Sequence, residues 1–284
     1  MKSARRIASN RHPHFSLKAR IMLILTAALL LFSSLLGCES EGTRADYLAS
    51  HGLTEPPVTT QAPKPLKKRV ALTFDDGPNY INTPKVLDAL AQYGWSATFF
   101  VVGNRINAQT SETLNRMAAE GHEIGIHGYT HTQNAEHYYD TCTDSVYQME
   151  LSNTVAAIRT YIPNYTPTLM RPIGGRITSE RVAASPYSII LWSVDTQDWE
   201  NTYYKGISDE EADRRVNTIV QNTLANIKDG DIILMHDIYQ STADATVKIL
   251  AALYEMGYEV VTVSELLGDT MQPGIMYTEG MPIG

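Results

Sequence analysis

The sequence predicts an α/β fold with a mainly parallel sheet, long enough for a full core or an irregular barrel. Three observations point to it. From residue 69 onward short apolar runs alternate with longer helical stretches, the mark of βαβ units. The alternation covers about 200 residues with no internal repeat of fixed period, which suits one large unit. Acidic and imidazole side chains then recur just after the apolar runs, where parallel sheets place their chemistry.

The chain reads as four segments, 1–37, 38–68, 69–268 and 269–284. The first holds Lys2, Arg5, Arg6, Arg11, Lys18 and Arg20 and no acidic residue, followed by an uncharged run over 21–36. A bilayer span needs about 20 apolar residues, so this run is short for a permanent helix and reads as a secretory signal. Its end, Leu35-Leu36-Gly37-Cys38, resembles the bacterial lipobox, which implies cleavage before Cys38 and a lipid on its thiol. An ordinary signal peptide or an uncleaved anchor are the alternatives. Two acyl chains anchor a protein stably where one does not. Cys142 is then a free thiol, a Cys38–Cys142 disulfide being the less favoured pairing. Segment 38–68 is polar and carries Pro56, Pro57, Pro63 and Pro65, the composition of a semi-rigid spacer.

In 69–268, strands are predicted over 70–74, 97–102, 122–127, 189–194, 231–235 and 259–263. Helices are predicted over 84–93, 111–120, 145–161, 209–227 and 242–256. Segment 269–284 has Gly and Pro without apolar periodicity and reads as a loose tail. The whole chain has 23 basic and 31 acidic residues, a net charge of −8. Without segment 1–37 the balance is 17 against 31, or −14. Such a charge argues against nucleic acid, which is held by basic patches.

Four strands deliver ionisable groups to one rim. Strand 70–74 leads into Asp75-Asp76-Gly77-Pro78 and strand 122–127 into His127-Gly128-Tyr129-Thr130-His131. Strand 189–194 leads into Asp195-Thr196-Gln197-Asp198-Trp199, and strand 231–235 into His236-Asp237. Asp75 and Asp76 cannot point the same way along an extended chain, so one suits a metal and the other a proton, unless the pair is only a polar turn. His127 and His131 are four apart and share a face if the segment is helical. With a carboxylate from the next strand they form a two-His, one-carboxylate set with open positions, which suits catalytic zinc and equally non-haem iron. Asp195, His122, His137 and Asp237 are read as structural.

These residues carry a family resemblance. Val70-Ala71-Leu72-Thr73-Phe74-Asp75-Asp76-Gly77-Pro78 resembles the first motif of the NodB-type polysaccharide deacetylases, metal-dependent carbohydrate esterases. His127-Gly128-Tyr129-Thr130-His131 resembles the second and Met170-Arg171-Pro172-Ile173-Gly174-Gly175 the third. Trp192 to Trp199 resembles the fourth and Leu234-Met235-His236 the fifth. The resemblance implies an irregular (β/α) barrel. It also implies a metal held by Asp76, His127 and His131, with zinc first and cobalt or manganese as alternatives. Asp75 is then the base, His236 the acid and Asp198 the group that orients His236. Arg171 pairs with Asp75, the Gly174 N–H holds the oxyanion, and Trp199 and Leu234 line the place of the acetyl methyl.

Two departures stand out. Gly128 replaces the usual Ser or Thr, removing a hydroxyl that could brace the metal loop, and Ile173-Gly174 replaces the usual Pro-aromatic pair. The function expected is removal of N-acetyl groups from a cell-surface polysaccharide, N-acetylglucosamine in peptidoglycan first. An O-acetyl esterase on a polysaccharide such as xylan, or a silent glycan-binding lipoprotein, are the alternatives. The expected partners are the polysaccharide and, through Cys38, the membrane, with the chain a monomer facing the cell wall.

Overall fold

The computed structural model describes residues 68–203 and 206–280. The expected signal segment, Cys38 and all of the expected linker but Lys68 lie outside the described residues. The strands are β1 (Lys68–Asp75), β2 (Thr98–Val101), β3 (Glu123–Ile126), β4 (Leu169–Met170), β5 (Ser188–Ile190), β6 (Val194–Asp195), β7 (Ile232–His236), β8 (Tyr258–Val260) and β9 (Met276–Tyr277). The helices are α1 (Thr83–Tyr93), α2 (Ser111–Ala119), α3 (Asp144–Tyr161), α4 (Ser179–Ala183), α5 (Asp209–Leu224), α6 (Gln240–Glu255) and α7 (Val263–Leu267). No helix among the described residues is long and apolar enough to cross a membrane.

The strands form one sheet in the order β6-β7-β1-β2-β3-β4-β5-β9, and the pairings between them are parallel. β8 pairs with the first three residues of β1. Although β5 and β6 sit at or near opposite ends of this order, only Leu191, Trp192 and Ser193 separate them in sequence. Four Cα steps reach about 14 Å at most. The sheet therefore curls until its ends nearly meet, the irregular barrel that the sequence predicts.

Alternation along each strand sorts the core into two layers. The outward residues Val70, Leu72 and Phe74 of β1 and Ile233 and Met235 of β7 pack under α1, α5 and α6, which contribute Val86, Leu87, Leu90, Val216, Ile219, Ile249, Leu250 and Leu253. The inward residues Ala71 and Ile232 join Phe100, Leu169 and Ile190 in a second apolar cluster that fills the base of the barrel. Full burial of each large apolar side chain contributes about 1.5–3 kcal/mol. Helix starts are capped locally. The Thr143 and Ser208 hydroxyls accept from Val146 and Glu211 N–H groups, and Thr262 with Glu265 forms a capping box on α7.

Three expectations are corrected. The strand predicted over 189–194 is two strands, because the chain crosses between the sheet's ends at 191–193. The strand predicted over 259–263 stops at Val260, since Thr262 caps a helix instead. Residues 269–280, the described part of the expected loose tail, are tied to the sheet: Met276 and Tyr277 pair with Ile189 and Ile190 as β9. The Ile189 and Leu191 N–H groups donate to the Ile275 and Tyr277 carbonyls at 2.9 and 2.8 Å. A two-residue strand carries no readable period, so neither β9 nor β4 was visible in the sequence.

Candidate active site

The inward row of β1 changes character as it rises: Ala71 lies in the apolar cluster, Thr73 is polar and Asp75 is acidic. The matching row of β7 runs Ile232, Leu234, His236. Asp75 and His236 are register partners on these adjacent parallel strands. Their side chains therefore emerge together at the carboxyl rim.

Arg171, just after β4, ties this row to the rest of the barrel. It is fully buried. Its Nη1 donates to Asp75 Oδ1 and Thr73 Oγ1, both at 2.8 Å, its Nε to the Ile190 carbonyl at 3.0 Å, and its Nη2 to the Leu191 carbonyl at 2.9 Å. The guanidinium also lies over the Phe100 ring, 4.3 Å from its centroid. One side chain thus spans β1, β4 and β5.

The Arg171 carbonyl oxygen lies 2.8 Å from His127 Nδ1. A carbonyl only accepts, so Nδ1 carries the proton and Nε2 bears a lone pair. Burial keeps the imidazole pKa below its usual value, against the pull of Asp75 and Asp76. That lone pair faces Asp75 Oδ2 and Asp76 Oδ1, each 3.6 Å away. His131 Nε2 stands 2.8 Å from the same Asp76 Oδ1. Apart from these imidazole nitrogens, Asp76 Oδ1 is buried without a hydrogen-bond donor. Burial pushes the Asp76 carboxyl up, but the His131 hydrogen bond and the charges of His127, His131 and His236 outweigh it and hold the group well below the usual carboxylate range. Groups converging in this way need a proton or a cation between them, and in the metal-free site His131 supplies the proton. The ligand atoms of Asp76, His127 and His131 lie within 4.8 Å of one another, so the donor set fits a divalent metal.

The histidines do not converge through a helical turn. They bracket a loop in which Gly128 has φ +83° and His131 φ +51°. A Cβ on Gly128 would come within 2.9 Å of the Tyr139 hydroxyl and 3.1 Å of Glu150 Oε2, so glycine is required by conformation and by space. Gly77, in the Asp-Asp-Gly-Pro turn, faces a similar restriction: an added Cβ would stand 2.6 Å from the Asp237 carboxylate. Asp237 itself is buried and accepts from the Thr83 hydroxyl, in keeping with a structural role.

Asp198 is fully buried, and its Oδ1 lies 2.8 Å from His236 Nδ1. The same carboxylate accepts from the His236 and Trp199 N–H groups at 2.6 and 3.0 Å and from the Thr242 hydroxyl at 2.7 Å. Burial pulls the His236 pKa down, but the Asp198 hydrogen bond and the charges of Asp198, Asp75 and Asp76 carry it up to about 9. In the metal-free site this favours the protonated imidazole at neutral pH, with Nε2–H free of the Asp198 contact. Leu234 is buried one inward position below it. Gly174 lies in the turn Ile173–Gly175, exposed. Trp199 follows β6 on the rim with 49% of its surface exposed.

Sequence reasoning missed Glu150, Thr73 and Thr242, which brace the site from below and behind. Glu150 could have been noticed. Tyr147, Glu150, Leu151, Thr154 and Ile158 form the buried stripe of α3, and a glutamate in such a stripe is anomalous.

With this geometry in hand, comparison with known proteins is direct. Residues 62–186 match the family described as polysaccharide deacetylase. The chain is 39% identical over 202 residues to the peptidoglycan-N-acetylmuramic acid deacetylase PdaC of Bacillus subtilis, covering 71% of this chain and 39% of that protein. It is 36% identical over 211 residues to a peptidoglycan-N-acetylglucosamine deacetylase of Bacillus cereus, covering 71% and 89%. Among solved structures, a family 4 acetyl xylan esterase from Clostridium thermocellum with a cobalt ion superposes with a TM-score of 0.62 at 30% identity, covering 75% and 98%. The chain spans about two fifths of the length of PdaC and of the peptidoglycan-N-acetylglucosamine deacetylase PgdA of Listeria monocytogenes.

Proposed function

The chain belongs to the polysaccharide deacetylase family, and on that premise we propose that it hydrolyses acetyl groups from a cell-wall polysaccharide, N-acetylglucosamine of peptidoglycan foremost. The observation that carries the reading is the pairing of Asp75 with His236 beside the Asp76, His127 and His131 cluster. It sets a carboxylate and an imidazole side by side next to residues that can hold a metal. The signal segment and Cys38 would set this domain on the outer side of a membrane, anchored as a lipoprotein facing the wall.

Asp76, His127 and His131 would hold the ion, zinc first and cobalt or manganese otherwise. When bound, such an ion lowers the pKa of a water toward about 7 and polarises an acyl oxygen. Asp75, with Oδ1 pinned by Arg171, keeps Oδ2 on the cluster side to take the proton of the attacking water. The Gly174 N–H would donate to the developing oxyanion. His236, oriented through Nδ1 by Asp198, would give its Nε2 proton to the departing amine, which needs one to leave. Leu234 and Trp199 would flank the acetyl methyl.

The protonation of His236 gives a test that needs no substrate. In metal-free protein, an NMR titration of the imidazole shows a pKa of about 9, and Asp198→Asn lowers it, because the Asp198 hydrogen bond and charge are lost and only the charges of Asp75 and Asp76 still oppose burial. Since the folded-state value is raised, the stability it adds is complete below about pH 6.5 and is lost as pH rises through about 9. The Asp198→Asn variant loses most of that slope, keeping the part due to Asp75 and Asp76. An unshifted titration would remove Asp198 from its orienting role.

The activity is tested by acetate release from peptidoglycan, chitooligosaccharide and acetylxylan with residues 39–284. Metal-dependent release is expected, fastest on the N-acetylated glycans. No release with zinc, cobalt or manganese refutes the reading. The esterase in the comparison supports a second one, cleavage of O-acetyl groups. An alkoxide leaves more readily than an amine, so His236→Ala costs an esterase less than an amidase.

A further inference from the structure

Residues 127–131 must deliver two imidazoles to one point through a loop that makes no helical turn, so something has to fix its path. The hydroxyl expected after the first histidine is absent, and the structure shows why: at φ +83° and with Tyr139 and Glu150 pressed against it, position 128 has no room for a side chain. The space that a hydroxyl would use is held by a carboxylate from elsewhere. Glu150, fully buried on α3, accepts through Oε2 from the backbone N–H groups of Tyr129 and Thr130, the latter at 2.9 Å, and through Oε1 from the Thr130 hydroxyl at 2.6 Å. Three donors from two consecutive residues of the loop end on one side chain. On its other edge, the loop's Gly128 and Tyr129 carbonyls accept from the Gly103 and Asn104 N–H groups, each at 2.9 Å.

Resting on the metal-site reading above, we propose that Glu150 is the positioning residue of the histidine loop: its carboxylate fixes the Tyr129–Thr130 backbone so that His127 and His131 meet Asp76, the task a side-chain hydroxyl at position 128 would otherwise share. Glu150 touches neither ligand imidazole in the hydrogen-bond network. It acts through the path of the backbone, and backbone N–H groups buried without a partner would drive the loop to rearrange.

The experiment measures zinc affinity of the chain by competition with a chromophoric chelator, beside Tm and the kcat and KM of acetate release. Loss of a group that orients ligands typically weakens metal binding 10–100-fold. Glu150→Ala is expected to show a loss of about that size, with kcat at limiting zinc lowered and KM little changed. Glu150→Asp, which keeps the charge but withdraws it by one methylene, is expected to lose affinity too, and serves if the alanine variant fails to fold. Glu150→Gln, whose carbonyl can accept from both amides while its amide meets Thr130 Oγ1, is expected to restore affinity to within a few-fold of the wild type. Ile158→Val, in the buried stripe of the same helix, is the control: it lowers Tm without changing zinc affinity. Wild-type affinity in the folded Glu150→Ala or Glu150→Asp protein overturns this proposal alone. A wild-type chain that takes up no zinc, cobalt or manganese overturns the metal reading and this one with it.

Discussion

Asp75→Asn lowers kcat for acetate release by about two to four orders of magnitude, the range for losing a positioned general base, while zinc affinity stays within a few-fold of wild type. The asparagine oxygen can still accept from Arg171, so the side chain keeps its place at the end of β1. Its amide cannot take a proton. The metal set does not use this residue, since Asp76, His127 and His131 supply one ligand atom each. The two measurements separate the roles of the adjacent aspartates: Asp76→Asn is expected to lose zinc, Asp75→Asn to keep it. A kcat unchanged in Asp75→Asn would take the base away from this position.

Arg171→Met lowers stability by about 3–5 kcal/mol, the cost of removing one partner from a buried ion pair. For a unit of this size that corresponds to a Tm lower by roughly 6–20 °C in a thermal melt. Methionine fills much of the volume but leaves Asp75 buried without its counter-charge and strips donors from Thr73, Ile190 and Leu191. Arg171→Lys is expected to recover little, since one ammonium cannot replace a planar fork that donates in four directions at once. A variant melting with the wild type would show that the barrel closes without this clamp.

Much of the site was legible because parallel strands deliver their last residues to a single rim. Asp75, His127, Asp198 and His236 follow apolar runs that any reading of the sequence finds, and the rule that chemistry sits at strand ends does the rest. The fold was legible for the same reason, down to nearly the right bounds for β1, β2, β3 and β7. What escaped depends on contacts distant in sequence. The split of 189–194 follows from closure of the sheet, which no local pattern records. β4 and β9 are too short for alternation to show. Glu150 sits in a helix whose sequence suggests only an amphipathic helix, and its importance comes from a loop 20 residues upstream. The spacing of His127 and His131 suggested a helical face, whereas a glycine in left-handed conformation achieves the same convergence by another route.

Because Asp75 and His236 occupy the same rung of two hydrogen-bonded strands, the sheet sets the spacing of their backbones whatever the length of the loops around them. The rim segments that carry Tyr80 and Tyr138 can therefore be exchanged, lengthened or shortened without retuning the proposed proton-transfer pair. The segment after β6 is not free in the same way, since its Asp198 holds His236 Nδ1; there only the exposed side chain of Trp199 can be exchanged without retuning that pair. For an engineer this separates a fixed reaction jig, the sheet together with Asp198, from exposed rim side chains that can be varied.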